Sequence, residues 1–314
     1  MSAFQIKPRA LATGLASFVP GVVHLMNRGS GGTCSSRYCY SIWLRHLIKA
    51  AASGIPTTHG CVAELGPGDS IGIGLAALLT TTDEYVALDV KAHANPRRNL
   101  ELFDELVTLF RERAPIPGDD EFPLAQPRLS DYSFPSQILS RERLTASLTA
   151  SRLDEIRAAI AGEPSTVAVT YRAPWNDPSV VRAGSVDFLF SQAVLEHVEQ
   201  VEETYRAMRQ WLRPGGYMSH SIDFSSHDLT RTWNGHWTLS DTEWRIVRGT
   251  RPYLINRLPL SRHLGLLATY RFDIIALEKQ RAPLDRAFRP ARRFRAMDPE
   301  DAQTPGVFVQ ARAA

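Results

Sequence analysis

The short apolar run Cys61-Val62-Ala63-Glu64-Leu65 leads into Gly66-Pro67-Gly68-Asp69-Ser70-Ile71-Gly72, and the next apolar run, Tyr85-Val86-Ala87-Leu88, ends on Asp89. No other stretch narrows the fold as much. It reads as a strand, a glycine turn, a helix and a second strand, the unit of a parallel α/β sheet. The glycines let the backbone approach a ligand closely, and the unpaired N–H groups that open the helix face the same spot. About 20 residues further on, a carboxylate at the tip of the second strand can accept hydrogen bonds from both hydroxyls of a ribose. The pattern predicts a nucleoside pocket at the mouth of the sheet.

Two details sharpen this. Glu64 stands where a dinucleotide-binding fingerprint has an apolar residue, and the spacing Gly66-x-Gly68 followed by Ser70 and Gly72 departs from strict G-x-G-x-x-G. An unpaired buried carboxylate is costly, so Glu64 suits a ligand carrying positive charge. The run Glu64-Leu65-Gly66-Pro67-Gly68-Asp69-Ser70 resembles the first motif of the class I S-adenosylmethionine-dependent methyltransferases. Val186-Asp187-Phe188-Leu189-Phe190-Ser191-Gln192-Ala193-Val194-Leu195-Glu196-His197-Val198 resembles their fourth-strand segment and the helix after it. Leu212-Arg213-Pro214-Gly215-Gly216-Tyr217-Met218 resembles the turn into their fifth strand. The likeness runs from Cys61 to Phe224, more faintly over the C-terminal strands. It departs from the family twice: Ser70 replaces the third glycine, and no acidic residue ends the third strand.

The resemblance implies an α/β, Rossmann-like, doubly wound seven-stranded sheet whose last strand is antiparallel, and S-adenosyl-L-methionine as cofactor. Glu64, Gly66, Pro67, Gly68 and Ser70 are expected to engage its methionine portion and Asp89 its ribose. Ligands on open α/β sheets sit outside the carboxyl ends of the strands, which sets Ser191, Gln192 and Ala193 near the reacting methyl.

The length, 314 residues, leaves room around such a core. The chain divides into an N-terminal helical lid (1–60), the first half of the Rossmann-like domain (61–90), an inserted helical cap (91–163) and the second half with substrate-binding loops (164–314). In the first segment, apolar and aromatic residues recur at helical spacing from Arg37 to His46, and the glycine turn Gly29–Thr33 is expected to cap that helix. In the insertion, Leu100–Arg113 and Leu139–Ala161 have helical periodicity, with Pro115, Pro117, Pro123 and Pro127 breaking the chain between them. Later strands are expected at Thr166–Tyr171, Ser185–Phe190, Tyr217–Phe224, Tyr270–Leu277 and Gly306–Ala311, and helices at Val194–Val198 and Glu199–Leu212.

A net charge of +3 gives no global attraction to nucleic acid or to a membrane surface, and no nucleic-acid-binding motif accompanies it. Three cysteines without a C-x-x-C pair argue against a disulfide framework and a structural zinc site. Cys34 and Cys39 read as small packing residues in a reducing cytoplasm. The apolar run Ala10–Met26 contains Pro20, is interrupted by glycines, lacks a signal-cleavage pattern and is too short for a bilayer span. It is expected to form one or two amphipathic helices lying on a cytoplasmic catalytic domain.

The segment after the fifth strand gathers His220, Asp223, His227, Asp228, Trp233, His236, Trp237 and Trp244. An oxygen acceptor must lose its proton as the methyl arrives, and histidine is the commonest base for that. His227 is the first choice, oriented by Asp223 or Asp228, with His197 as a second candidate. The alternative is a divalent metal that acidifies a hydroxyl pair, although no metal site is assigned. The three tryptophans together suit a sugar or aromatic ring. Arg281, Arg286, Arg289, Arg292, Arg293 and Arg295 form a solvated face or a match for acidic groups. The acceptor expected is a small molecule or glycan, methylated on a hydroxyl. Two other functions share this fold: an NAD(P)-dependent oxidoreductase, whose pyrophosphate Glu64 and Pro67 disfavour, and a non-catalytic methyltransferase-like scaffold.

Overall fold

The computed structural model describes residues 5–22, 33–80, 82–284 and 288–314. Seven strands form one sheet: β1 (Cys61–Leu65), β2 (Glu84–Leu88), β3 (Ala168–Arg172), β4 (Val186–Gln192), β5 (Leu212–Asp223), β6 (Phe272–Lys279) and β7 (Gly306–Ala313). Their order is β3-β2-β1-β4-β5-β7-β6. The first five are parallel, and β7 runs antiparallel to both β5 and β6. Every residue of β1 is buried, as a central strand covered on both faces requires.

The helices are α1 (Pro8–Ala16), α2 (Ser36–Ala52), α3 (Gly72–Leu78), α4 (Pro96–Glu112), α5 (Arg141–Ser147), α6 (Ala150–Ala161), α7 (Val201–Trp211), α8 (Asp241–Arg248) and α9 (Leu260–Thr269). On one face of the sheet, Tyr40, Trp43 and Leu47 of α2 share a core with α3, Phe103 and Phe110 of α4 and Ile156 of α6. On the other face, Tyr205, Met208 and Trp211 of α7 pack with Leu266 and Leu267 of α9. Local chemistry fixes the helix starts. Ser35 accepts from the Tyr38 N–H to open α2, and Asn95 accepts from Arg97 and Arg98 ahead of Pro96 to open α4.

Gly29–Gly32 lie outside the described residues, so α2 is capped here by Ser35. Where a helix was expected at Val194–Val198, the chain makes a turn. Asn256 explains it: its side-chain amide donates to the carbonyls of Leu195 and Val198, and its N–H to that of Glu196. Those acceptors are therefore withdrawn from a helical ladder. β4 extends through Ser191 and Gln192, so both stand on the strand, not beyond it. β5 starts directly at Leu212, with Pro214-Gly215-Gly216 inside it.

Cys39 and Cys61 are buried, but Cys34 is exposed and so does not pack; all three are free thiols. α1 lies against α8, where a side chain on Gly14 would place Cβ 2.2 Å from the Ile246 carbonyl oxygen. Among the described residues no helix is long and apolar enough to cross a membrane.

Candidate active site

The glycine turn leaves β1 with Gly66 at φ 70° and Gly68 at φ 75°, a backbone only glycine takes without strain. A side chain on Gly66 would also strike Val194, with its Cβ 2.6 Å from a methyl. β1 and β2 end side by side, which delivers Asp89 to the turn. Its carboxylate accepts from the Gly68 N–H at 3.2 Å and the Val90 N–H at 2.6 Å. Burial raises its pKa, and those N–H bonds partly offset the rise.

Three adjoining cavities open at this edge. One of about 350 Å³ is lined by Tyr38, Gly66, Pro67, Gly68, Asp89, Gln192, Ala193 and Tyr253 among others. A second, of about 430 Å³, shares Gly66, Asp89, Val194 and His197 with it and extends to Pro174, Trp175 and Asn176. The third, of about 610 Å³, meets the first at Tyr38, Gln192 and Ala193 and is walled by residues 121–126, Arg128 and Asp223. Ala193 stands at the junction with φ 53°, left-handed for a residue with a side chain.

Gly66, Pro67, Gly68, Asp89, Gln192 and Ala193 are thus brought to one cavity wall. Glu64, Ser70 and Ser191 stand behind it. The Tyr85 hydroxyl donates to Glu64 at 2.5 Å, and burial pushes the Glu64 pKa up to about 8. Ser70 donates to the Thr33 carbonyl, and Ser191 bonds His220 Nδ1 at 2.7 Å in the interior. The N–H groups that open α3 are also taken. Ile71 donates to Asn99 and Gly72 to Ser70, so they are satisfied within the protein.

His46, Arg45 and Glu196 complete the site, and none was singled out from the sequence. His46 on α2 is fully buried; its Nδ1 contacts Ser219 Oγ at 2.8 Å and its Nε2 contacts Gln192 Oε1 at 3.2 Å. Burial lowers its pKa to about 4, so a neutral imidazole fixes the Gln192 amide on the cavity wall. Arg45, also fully buried, donates to the carbonyls of Ala125 and Pro127 at 2.9 and 3.0 Å and anchors the loop that walls the third cavity. α5 and α6 are tied elsewhere, through Arg143 to Thr80 and Arg152 to Thr82, beside the start of β2.

At the end of β5, Asp223 Oδ2 lies 3.2 Å from His227 Nε2. Burial opposes ionisation of Asp223, yet hydrogen bonds from His227 and Ser225 outweigh it and hold its pKa below the ordinary value. His227 and Asp228 are consecutive left-handed residues, at φ 46° and 63°, and Asp228 pairs with Lys7. The His197 ring stands edge-on to His227 at 4.9 Å, and burial, aided by His227, lowers its pKa to about 4. Glu196 is buried beside them, which raises its pKa well above the carboxylate range.

His220 and His236 are buried, Trp237 donates to the Arg257 carbonyl, and the Arg257 guanidinium stacks on Trp244. Trp233 packs edge-on against Trp237. None of the three tryptophans lines these cavities: Trp237 is buried in the core, and Trp233 and Trp244 pack half-buried against it. Arg286 lies outside the described residues. Arg281 pairs with Glu300 and Arg293 with Asp241, and neither arginine lines these cavities.

Residues 144–219, from α5 into β5, match the family model described as a methyltransferase domain. The match covers β3, β4 and β5 as far as residue 219, and the sheet has the seven strands and antiparallel last strand that the sequence resemblance implied. The sheet is Rossmann-like, and residues 144–219 within it are similar to a methyltransferase domain. The glycine turn precedes the matched segment, and the match begins inside the insertion 91–163.

Similar solved structures include phosphoethanolamine N-methyltransferase 2 of Haemonchus contortus, at 13% identity and a TM-score of 0.42 over 86% of this chain. The chain spans about half of that protein, 52% of its length. An S-adenosylmethionine-dependent methyltransferase of Mesorhizobium loti is similar at 15% identity and a TM-score of 0.41, covering 84% of this chain and 96% of its own. The CurJ carbon methyltransferase is similar at 16% identity and a TM-score of 0.39, covering 97% of this chain and 58% of its own. No curated protein matches the sequence.

Proposed function

We propose that this protein is a methyltransferase that moves a methyl group from S-adenosylmethionine to a hydroxyl of a small-molecule or glycan acceptor. The observation that carries it is Asp89, pinned by the backbone N–H groups of Gly68, Val90 and Lys91 on the rim of a cavity that opens at Gln192 and Ala193 into a second, differently lined one. Asp89 Oδ2, which accepts from Gly68 alone, keeps a lone pair for a ribose hydroxyl. The glycine turn and Gln192 would take the methionine portion, and the cleft between Asn176 and Val194 the adenine, in place of the missing acidic residue.

The cofactor supplies a methyl already activated by positive sulfur, so the protein's work is alignment and exclusion of water, worth about 7–11 kcal/mol in well-aligned systems. Gln192, fixed by His46, and Ala193 line the passage between donor and acceptor. Residues 121–128 form the acceptor wall, with Glu121 and Arg128 offering charge of both signs and Phe122 to Ala125 an apolar surface. In this scheme the acceptor oxygen loses its proton to His227, which Asp223 orients. On the same reading residues 1–60 contribute the inner wall through Tyr38, and 91–163 the acceptor cap.

Calorimetry tests the donor half. S-adenosylmethionine should bind and NAD should not; binding of NAD alone would replace this reading with hydride transfer. Mass spectrometry with labelled cofactor over an acceptor panel tests the rest. Gain of one methyl on oxygen is expected, and gain on nitrogen or carbon would overturn the hydroxyl assignment.

A further inference from the structure

One cluster is larger than a single base requires. Glu196, His197 and His227 each offer one ligand atom, and these atoms lie within 4.8 Å of one another. Glu196 is only 3% exposed, and among the described residues neither of its carboxylate oxygens has a hydrogen-bond partner. A buried carboxylate is normally paired, hydrogen-bonded or bound to a metal. Both histidines have one ring nitrogen engaged and the other left for a ligand. His197 Nδ1 donates to the Tyr253 carbonyl at 2.9 Å, and His227 Nε2 contacts the Asp223 carboxylate at 3.2 Å. Holding one nitrogen on a carbonyl or carboxylate is how proteins orient metal-binding imidazoles.

We propose that Glu196, His197 and His227 bind one divalent transition-metal ion, with Asp223 orienting His227. Two imidazoles and a carboxylate suit Zn²⁺ or Fe²⁺, whereas Mg²⁺ and Ca²⁺ favour oxygen-only sets. Metal–ligand bonds of about 2.0–2.2 Å bring donor atoms to roughly 3.4 Å apart, so the cluster must close by about 1 Å. His227 can supply that movement, since it sits in a loop with its side chain 28% exposed. Three protein donors leave a coordination position open. His197 lines the donor cavity and Asp223 the acceptor cavity, so an acceptor hydroxyl oxygen is the natural occupant. With the ion bound, His227 is a ligand and no longer the base: the O–H bond breaks with the electron pair kept on the metal-held oxygen, and the Asp223 carboxylate takes the proton in place of His227. That role rests on the methyl-transfer reading, but the ion site itself does not.

The test uses the full chain stripped with a chelator, loaded with Zn²⁺ or Co²⁺, desalted and assayed for metal by mass spectrometry and for Co²⁺ by its visible absorption. One ion per chain is expected, with affinity lowered about tenfold or more in Glu196→Gln and in His227→Ala. No retained metal in the wild type, or unchanged affinity in His227→Ala, overturns the site. Should Glu196→Gln fail to fold, His227→Ala, altered on a surface loop, decides alone. Calorimetry with S-adenosylmethionine separates the two readings. Cofactor binding without metal uptake overturns only the ion site; metal uptake without cofactor binding overturns only the methyl-transfer reading.

Discussion

Glu64 turns the buried edge of the glycine elbow into a measurable pH dependence. Burial raises its pKa from 4.5 to about 8. The native carboxyl therefore keeps a proton that the unfolded chain releases above pH 4.5, and stability falls as pH rises through that window. The slope is about 1.4 kcal/mol per pH unit, a penalty of roughly 3 kcal/mol at pH 7 that levels off near 5 kcal/mol above pH 8. Glu64→Gln has the shape of the protonated acid, still accepts from Tyr85 and cannot ionise. Urea unfolding of both proteins should show near-equal stability around pH 4.5, with the variant ahead by roughly 3 kcal/mol at pH 7 and more at pH 9. Taking the difference between the two proteins removes the other titrating groups. A difference that stays flat with pH, or a variant less stable at pH 9, would refute the buried, proton-retaining carboxyl. The same variant bears on function: Glu64 stands behind the cavity wall, so affinity for S-adenosylmethionine should change less than about threefold. A hundredfold loss would show the carboxylate reaching the ligand.

Asp89→Ala should weaken S-adenosylmethionine binding by about 2–4 kcal/mol, thirtyfold or more, by removing charge-assisted bonding to the ribose; unchanged affinity in calorimetry would discard the ribose assignment. His227→Ala should lower kcat about 10²–10⁴-fold while cofactor affinity holds, and wild-type turnover would remove it from the chemistry. Arg45→Met should cost about 3–5 kcal/mol, since the carbonyls of Ala125 and Pro127 lose their buried donor. It should also raise the acceptor KM by loosening residues 121–128. A variant with full stability and an unaltered KM would show that this anchor shapes nothing.

The elements that could be read from the chain are those whose signals are local. β1, α3 and β2 follow from apolar runs around a glycine turn, and Asp89 from its distance to that turn. The residues that tune the site have distant partners. His46 reaches Gln192 and Ser219, 146 and 173 positions away, and nothing in α2 distinguishes it from a packed histidine. Arg45 looks like any arginine of an amphipathic helix until the loop 82 residues later folds onto it. Glu196 lies in a stretch with helical character, yet Asn256, 58 to 61 residues downstream, takes its neighbours' carbonyls and turns it inward. The tryptophans illustrate a related point: side-chain type alone leaves open whether they pack or present a ring surface, and tertiary packing places Trp237 in the core with Trp233 and Trp244 against it.

The strained loop carrying His227 extends the same reasoning. A left-handed residue with a side chain costs about 1–2 kcal/mol, and His227 and Asp228 are two in succession. Such a conformation persists where surrounding contacts over-determine it. Here the contacts come from the far end of the chain. Ile6 bridges Thr230, the Lys7 N–H donates to the Leu229 carbonyl, the Arg231 N–H to that of Gln5, and the Lys7 side chain pairs with Asp228. The N-terminal segment, read from sequence as a helical layer on the catalytic domain, therefore also straps the loop that brings His227 to Asp223. The local sequence offers His227 as a candidate, but the position of its imidazole depends on contacts with residues some 220 positions away.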